Sequence, residues 1–165
     1  MLGARLCARL LDEGVRVVVL QRDRVTGSAL AIEGTEARCH VVRGDVTDAE
    51  LMERIVVEEE ADTVFHLAAQ TIVGAANRAP RSTYASNVMG TVNVLEAARA
   101  GGAARVVVAA SDKAYGSHDE LPYREDMALQ PRFPYDVSKA ATDLVARSYW
   151  HTLGVPVATT RFANI

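Results

Sequence analysis

A chain of 165 residues, 49% hydrophobic and 24% charged, can build one cored domain; it is too short for two substantial domains and too apolar for a disordered chain. A formal charge of -3, with no basic stripe interleaved with aromatics, excludes nucleic acid as the expected partner. No apolar stretch approaches the roughly 20 residues of a membrane span, charges run through the N-terminus, and Cys7 and Cys39 stand in no metal-like spacing, so a cytoplasmic protein with buried free thiols, no bound metal and no membrane contact is expected.

In chain order, LGARLCARLLDEG puts Leu2, Leu6 and Leu10 on one helical stripe and ends at Gly14, which suits a C-cap. VRVVVL (15–20) reads as a short strand whose continuous branched character fits a parallel sheet covered on both faces. RCHVVRGDV (38–46) is a weaker strand, and Asp48 is placed to cap a helix running through Glu60. DTVFHLAA gives another buried strand. Pro80 and Ser82 introduce one long helix to about Ala100, closed by Gly101 and Gly102. ARVVVAA (104–110) is the clearest strand. Residues 111–134 hold three prolines and no convincing element, far beyond the usual connection of roughly 4 to 6 residues. A helix from about Tyr135 to Leu153 and a strand VPVATTR (155–161) follow. Such alternation implies an α/β fold, an open and mostly parallel Rossmann-like sheet with helices on both faces. The helix-first start and the abrupt end suggest a piece of a longer protein.

Lysine occurs twice in the chain, at 113 and 139, against sixteen arginines. An ammonium is compact and can exchange its proton, whereas a guanidinium is a planar fork that stays charged, so lysine in an arginine-rich chain marks places where amine chemistry is useful. Tyr135 and Lys139, four apart near the start of a helix, share a face. A free phenol, with a pKa near 10, is a poor base at neutral pH; a neighbouring ammonium and the positive end of the helix both favour phenolate.

The segments RGDVTD (43–48), FHLAAQ (65–70), NVMGTVNVLEAA (87–98), VVVAASDKAYG (106–116), YDVSK (135–139) and TRFANI (160–165) occur in the order found in the extended short-chain dehydrogenase/reductase family, and the chain resembles its nucleotide-sugar dehydratases and epimerases from end to end. The resemblance implies a partial dinucleotide-binding domain over 1–165, with the C-terminal substrate region mostly absent. It also implies NAD as cofactor, with NADP as the alternative, a nucleotide-diphosphate sugar as partner, and a homodimer of the full-length enzyme. Gly3 matches the last glycine of the family's phosphate turn, whose preceding strand and first two glycines are missing here, so weak cofactor binding by the isolated chain is expected. Gln21, where an acidic residue is usual, would bind the adenine ribose, and Arg22 would meet a 2'-phosphate if NADP were used. Asp45 and Val46 would lie beside the adenine; Leu67, Ala68 and Ala69 would cover the cofactor; the backbone of Asn87 would connect to Lys139 directly or through water; and Asn164 would contact the substrate's phosphate side. His66 is expected to be structural.

The same resemblance implies that Ser111 binds the reacting sugar hydroxyl while Tyr135 removes its proton and Lys139 holds the nicotinamide ribose. Simple 4-epimerases usually carry small or unreactive residues after this serine. Asp112-Lys113 instead looks like the pair of 4,6-dehydratases, closest in motif to CDP-glucose 4,6-dehydratases. Elimination of water across C5 and C6 of a 4-keto sugar needs an acid at the C6 hydroxyl and a base at C5. Asp112 is assigned the first role and Lys113 the second, an assignment that can be exchanged. The expected activity is therefore a nucleotide-sugar 4,6-dehydratase, with a 4-epimerase or reductase as one alternative and a non-catalytic nicotinamide-nucleotide-binding fragment as another.

Overall fold

Strands form where branched apolar residues run together, and helix ends decide where each strand can begin. The computed structural model describes residues 2–163, in which the strands are β1 Val18–Gln21, β2 His40–Arg43, β3 Thr63–His66, β4 Arg105–Ala109 and β5 Val157–Thr160. The chain divides into two units, Met1–Asp45 and Val46–Ile165, each with its own parallel ladder.

In the first unit, α1 (Leu2–Asp12) closes at Gly14, which adopts φ 78°, the left-handed conformation anticipated for a C-cap. Val15 still donates its N–H to the carbonyl of Leu10, so pairing starts at Val18 and not at Val15. β1 and β2 pair in parallel from Val18 opposite His40 to Gln21 opposite Arg43. Between them lie α2 (Ala29–Ile32), capped by the Ser28 hydroxyl, and a 3-10 turn at Thr35–Arg38, neither of them predicted. Cys7 and Cys39 are free but only half-buried, a correction to the expectation of buried thiols. Burial, with the Cys39 thiol beside it, pushes the Cys7 thiol up to about 11.

In the second unit, β3, β4 and β5 pair side by side in parallel, with Thr63 opposite Arg105 and Val106 opposite Val157. The Asp48 carboxylate accepts the Leu51 N–H at 3.0 Å and caps α3 (Ala49–Glu58), as its position in the sequence suggested. Leu95, Ala98, Val106, Val108, Ala146 and Val155 form the core between sheet and helices. The long helix expected from Pro80 to Ala100 is three pieces: α5 (Pro80–Tyr84), a π-helical segment Ala85–Met89, and α6 (Gly90–Ala100), preceded by α4 (Val73–Arg78). The Asn87 carbonyl inside the π segment accepts the hydroxyls of Thr91 at 2.6 Å and Thr142 at 2.9 Å, partners that compensate the altered helical ladder. Glycine is required at 116: φ is 72°, and a Cβ there would sit 2.0 Å from the Gln130 carbonyl oxygen. α7 (Pro134–Leu153) starts on a proline that needs no hydrogen-bond acceptor and ends at Gly154, with φ 68°. Among the described residues no helix is long and apolar enough to cross a membrane.

Candidate active site

β4 delivers Ser111 to the point where α7 begins, and the first two turns of α7 carry Tyr135 and Lys139. All three side chains are buried. The Tyr135 N–H is taken by the Asn77 side-chain oxygen at 3.0 Å, which fixes the helix start. The Ser111 hydroxyl donates to Asp112 Oδ1 at 3.1 Å and accepts the Lys113 N–H at 3.2 Å, and Ser111 is one of the groups acting on the Tyr135 phenol. Asp112–Tyr115 form a 3-10 turn that this serine caps.

Burial pushes the Tyr135 phenol above its ordinary value. The Ser111 hydrogen bond opposes the rise, the carboxylates of Asp112 and Asp136 add to it, and the Lys113 charge opposes it. Lys139 Nζ donates to the Ala109 carbonyl at 2.6 Å. Burial lowers the Lys139 amine to about 8. Asn87 gives its carbonyl to the hydroxyls of Thr91 and Thr142. Its side chain instead exchanges hydrogen bonds with the backbone of Gln70, at 2.7 and 3.2 Å, and donates to Ser138 Oγ at 2.9 Å. Asn87 therefore holds the 67–70 turn against the helix of Tyr135 and Lys139. His66 is buried on Thr91 Oγ1 at 3.0 Å and drops to about 4, first by burial and then by the Lys139 charge, so it is a neutral structural residue as anticipated.

Lys113 Nζ lies 3.6 Å from Asp112 Oδ2. It opens onto a cleft of about 220 Å³ whose walls include Tyr123, Arg132, Phe133 and Asp136. The 117–133 stretch that supplies much of this wall is pinned by groups that sequence reasoning missed. Arg161 binds the fully buried Asp143 carboxylate at 2.8 and 3.3 Å, the Tyr115 hydroxyl at 2.7 Å and the Glu125 carbonyl at 3.0 Å, with its guanidinium 4.9 Å from the Tyr115 ring centroid. Tyr123 stacks on Tyr115 and donates to the Gly116 carbonyl at 2.8 Å. No local pattern announces these contacts; the acid on α7 and the arginine after β5 are 18 positions apart.

Of the residues expected at the nucleotide, Gly3 lies in the first turn of α1, Gln21 ends β1, and Asp45 follows β2. Gln21 Oε1 accepts a short hydrogen bond from Arg43, and Arg22 is held by Asp23 at 2.7 Å with Asp45 at 3.9 Å. In the second unit, Val46 is buried against Gly90, where a Cβ would meet its methyl at 2.7 Å. Leu67 and Ala69 are half-buried and Ala68 is exposed. Asn164 lies outside the described residues. Among those residues no cluster of three or more His, Cys, Asp or Glu side chains is placed to hold a metal ion.

The family profile described as GDP-mannose 4,6 dehydratase matches residues 1–165. A dTDP-glucose 4,6-dehydratase of Streptomyces antibioticus is 40% identical over 74% of the chain and 36% of its own length. The solved dTDP-glucose 4,6-dehydratase of Streptomyces venezuelae, with NAD and TYD bound, superposes at a TM-score of 0.85 and 33% identity, over 96% of this chain and 51% of that one. The UDP-glucose 4-epimerase of Thermotoga maritima, solved with UDP-glucose, gives a TM-score of 0.89 at 25% identity, over 99% and 52%. The chain spans about half the length of these solved structures and about a third of the Streptomyces antibioticus enzyme. The dehydratases quoted are dTDP-glucose enzymes by name, which corrects the motif-based expectation of CDP-glucose enzymes as the nearest group.

Proposed function

Because the chain belongs to the family described as GDP-mannose 4,6 dehydratase, we propose that it is the dinucleotide-binding part of a nucleotide-sugar 4,6-dehydratase that uses NAD. The observation that carries this reading is the Asp112–Lys113 ion pair, hydrogen-bonded to Ser111 in the same unit as the buried Tyr135: two proton-carrying groups beyond what alcohol oxidation needs.

In the first unit, Gln21 and Asp45 carry oxygens that suit the adenine ribose and the adenine amine; in the second, Tyr135 and Lys139 carry a hydroxyl and an amine that suit the nicotinamide ribose. Arg22, the group expected to meet a 2'-phosphate, already faces the carboxylates of Asp23 and Asp45, which favours NAD over NADP. NAD bound there would supply the redox chemistry, reversible hydride exchange with the sugar.

The chain's own residues move protons. Ser111 holds the C4 hydroxyl and Tyr135 removes its proton, for which the phenol must first fall from the raised value that burial gives it. A proton shift within the ion pair, from Lys113 to Asp112, gives the neutral amine and acid that elimination needs: Lys113 then takes the proton from C5 while Asp112 gives its proton to the C6 hydroxyl, which departs as water. The 117–133 wall, pinned by Arg161 and Tyr123, shields this exchange. Asn87, Ser138 and Gln70 keep the 67–70 turn in register with Tyr135.

The partner is a nucleotide-diphosphate sugar and the assembly a homodimer, to be read by sedimentation. Incubation with NAD and dTDP-glucose, UDP-glucose or GDP-mannose tests the reaction: a 4-keto-6-deoxy sugar lighter by one water supports it, and a C4 epimer of unchanged mass favours the epimerase alternative.

A further inference from the structure

Arg161, which follows β5, has no part in the proton transfers above, yet its guanidinium reaches three separate stretches of the chain. Nε and Nη2 hold the two oxygens of the Asp143 carboxylate at 2.8 and 3.3 Å. Nη1 donates to the Tyr115 hydroxyl at 2.7 Å and to the Glu125 carbonyl at 3.0 Å. Asp143 is fully buried, and a fork set on both of its oxygens fixes the guanidinium in direction as well as in place.

The Tyr115 contact bears on the chemistry. Tyr115 is the last residue of the 3-10 turn Asp112–Tyr115, which carries the acid and the amine assigned to elimination. Its buried ring stacks on Tyr123, with centroids 4.9 Å apart. The first residue of the same turn is held from the same segment, because the Asp112 N–H is taken by the Phe162 carbonyl at 3.0 Å. Arg161 and Phe162, adjacent in the chain, therefore grip the turn at both ends. Asp143 lies on α7, the helix that carries Tyr135 and Lys139, so one guanidinium ties the turn to that helix. A lysine presents a single nitrogen and cannot meet the carboxylate fork and the Tyr115 hydroxyl together.

Resting on the dehydratase reading, we infer that Arg161 is a positioning residue for elimination. Acting through the Tyr115 hydroxyl, it sets Asp112 and Lys113 at C6 and C5 of a sugar whose C4 is held at Tyr135. The hydride half of the reaction is anchored by other bonds. Ala110, just before Ser111, donates to the Thr160 carbonyl at 2.7 Å, and Lys139 Nζ is fastened to Ala109. A displacement of about 1 Å costs a reaction on the order of 100-fold, so loosening the turn falls on elimination while oxidation at C4 continues.

The test uses Tyr115→Phe, which removes the hydroxyl that Arg161 binds and keeps both the Asp143 pair and a ring to stack on Tyr123. Arg161→Lys, which keeps a cation for Asp143 and loses the fork, should act in the same direction. In the protein that carries this chain, the N–H groups of Ala114 and Gly116 close the turn. Their amide exchange should speed about 10-fold in Tyr115→Phe, as loss of a hydrogen bond to a charged group allows, while Ala146 in the core keeps its protection. With NAD and dTDP-glucose in heavy water, the same variant should exchange the C5 proton about 10-fold or more slowly and reduce the cofactor at close to the parental rate. In a Lys113→Met background, Tyr115→Phe should slow C5 exchange no further, because the amine it positions is gone. A hydroxyl that only stabilises the fold would leave both half-reactions unchanged below the melting transition. Unchanged amide exchange in the turn, or equal effects on cofactor reduction and C5 exchange, overturns the inference. If the parent neither reduces cofactor nor exchanges C5 with dTDP-glucose, UDP-glucose or GDP-mannose, the dehydratase reading fails and the role in elimination with it, while the amide exchange separately decides whether Arg161 fixes the turn through Tyr115.

Discussion

Lys139 donates from Nζ to the main-chain oxygen of Ala109 at 2.6 Å, so a buried amine fastens the helix of Tyr135 to the end of the strand that leads to Ser111. The fastening costs stability in a pH-dependent way. The folded value of about 8 lies below the ordinary 10.5, and between these values the unfolded chain binds more protons than the folded one. This group's contribution is therefore most favourable above 10.5, declines as pH falls toward 8, and stays constant and unfavourable below that. Lys139→Met removes the dependence. Denaturant unfolding at a series of pH values should show the variant gaining on the parent by on the order of 2 kcal/mol more at pH 7 than at pH 10. A difference that does not change with pH would contradict the buried amine.

Tyr135→Phe removes one oxygen from a buried site whose hydroxyl neighbour is Ser111. Turnover should fall about 100-fold or more, with the melting transition nearly unchanged. Single-turnover cofactor absorbance reads the first effect and calorimetry the second. Parental turnover in the phenylalanine variant would remove Tyr135 from the role of base.

Arg161→Met should destabilise the protein by about 3 to 5 kcal/mol, because it strands the fully buried Asp143 carboxylate. The same change releases the Tyr115 hydroxyl and the Glu125 carbonyl, so residues 117–133 should become susceptible to limited proteolysis under conditions where the parent resists. Equal cleavage rates in variant and parent would show that Arg161 does not hold that stretch.

Much of this site was legible in the sequence because its chemistry is local. Asp112 follows Ser111 directly, and Tyr135 and Lys139 share a helix face through spacing alone. What the sequence concealed depends on long-range contact. The π-helical segment exists where Asn87 meets Thr142, 55 positions away, so the apolar pattern read as one continuous helix. The bond from Lys139 to Ala109 is visible only once β4 and α7 are packed. The 111–134 stretch read as structureless because its order comes from Arg161 and the Tyr115–Tyr123 stack, not from periodicity.

Asp112→Asn and Lys113→Met should separate the two halves of the reaction. Tyr135, Ser111 and Lys139 remain in both variants, so reduced cofactor and a 4-keto sugar that keeps its C6 hydroxyl should accumulate. Exchange of the C5 proton should fall most in Lys113→Met. Unimpaired release of the 4-keto-6-deoxy product by both variants would leave the pair as a turn with a solvated lysine.

The most direct measurement is the mass of the sugar product after one turnover in heavy water, with NAD and dTDP-glucose supplied to the unmodified protein. Elimination assisted by Asp112 and Lys113 should give a product that has lost one water and carries one solvent deuterium at C5. A product of unchanged mass without deuterium, epimerised at C4, would contradict the central claim and assign the site to epimerase chemistry.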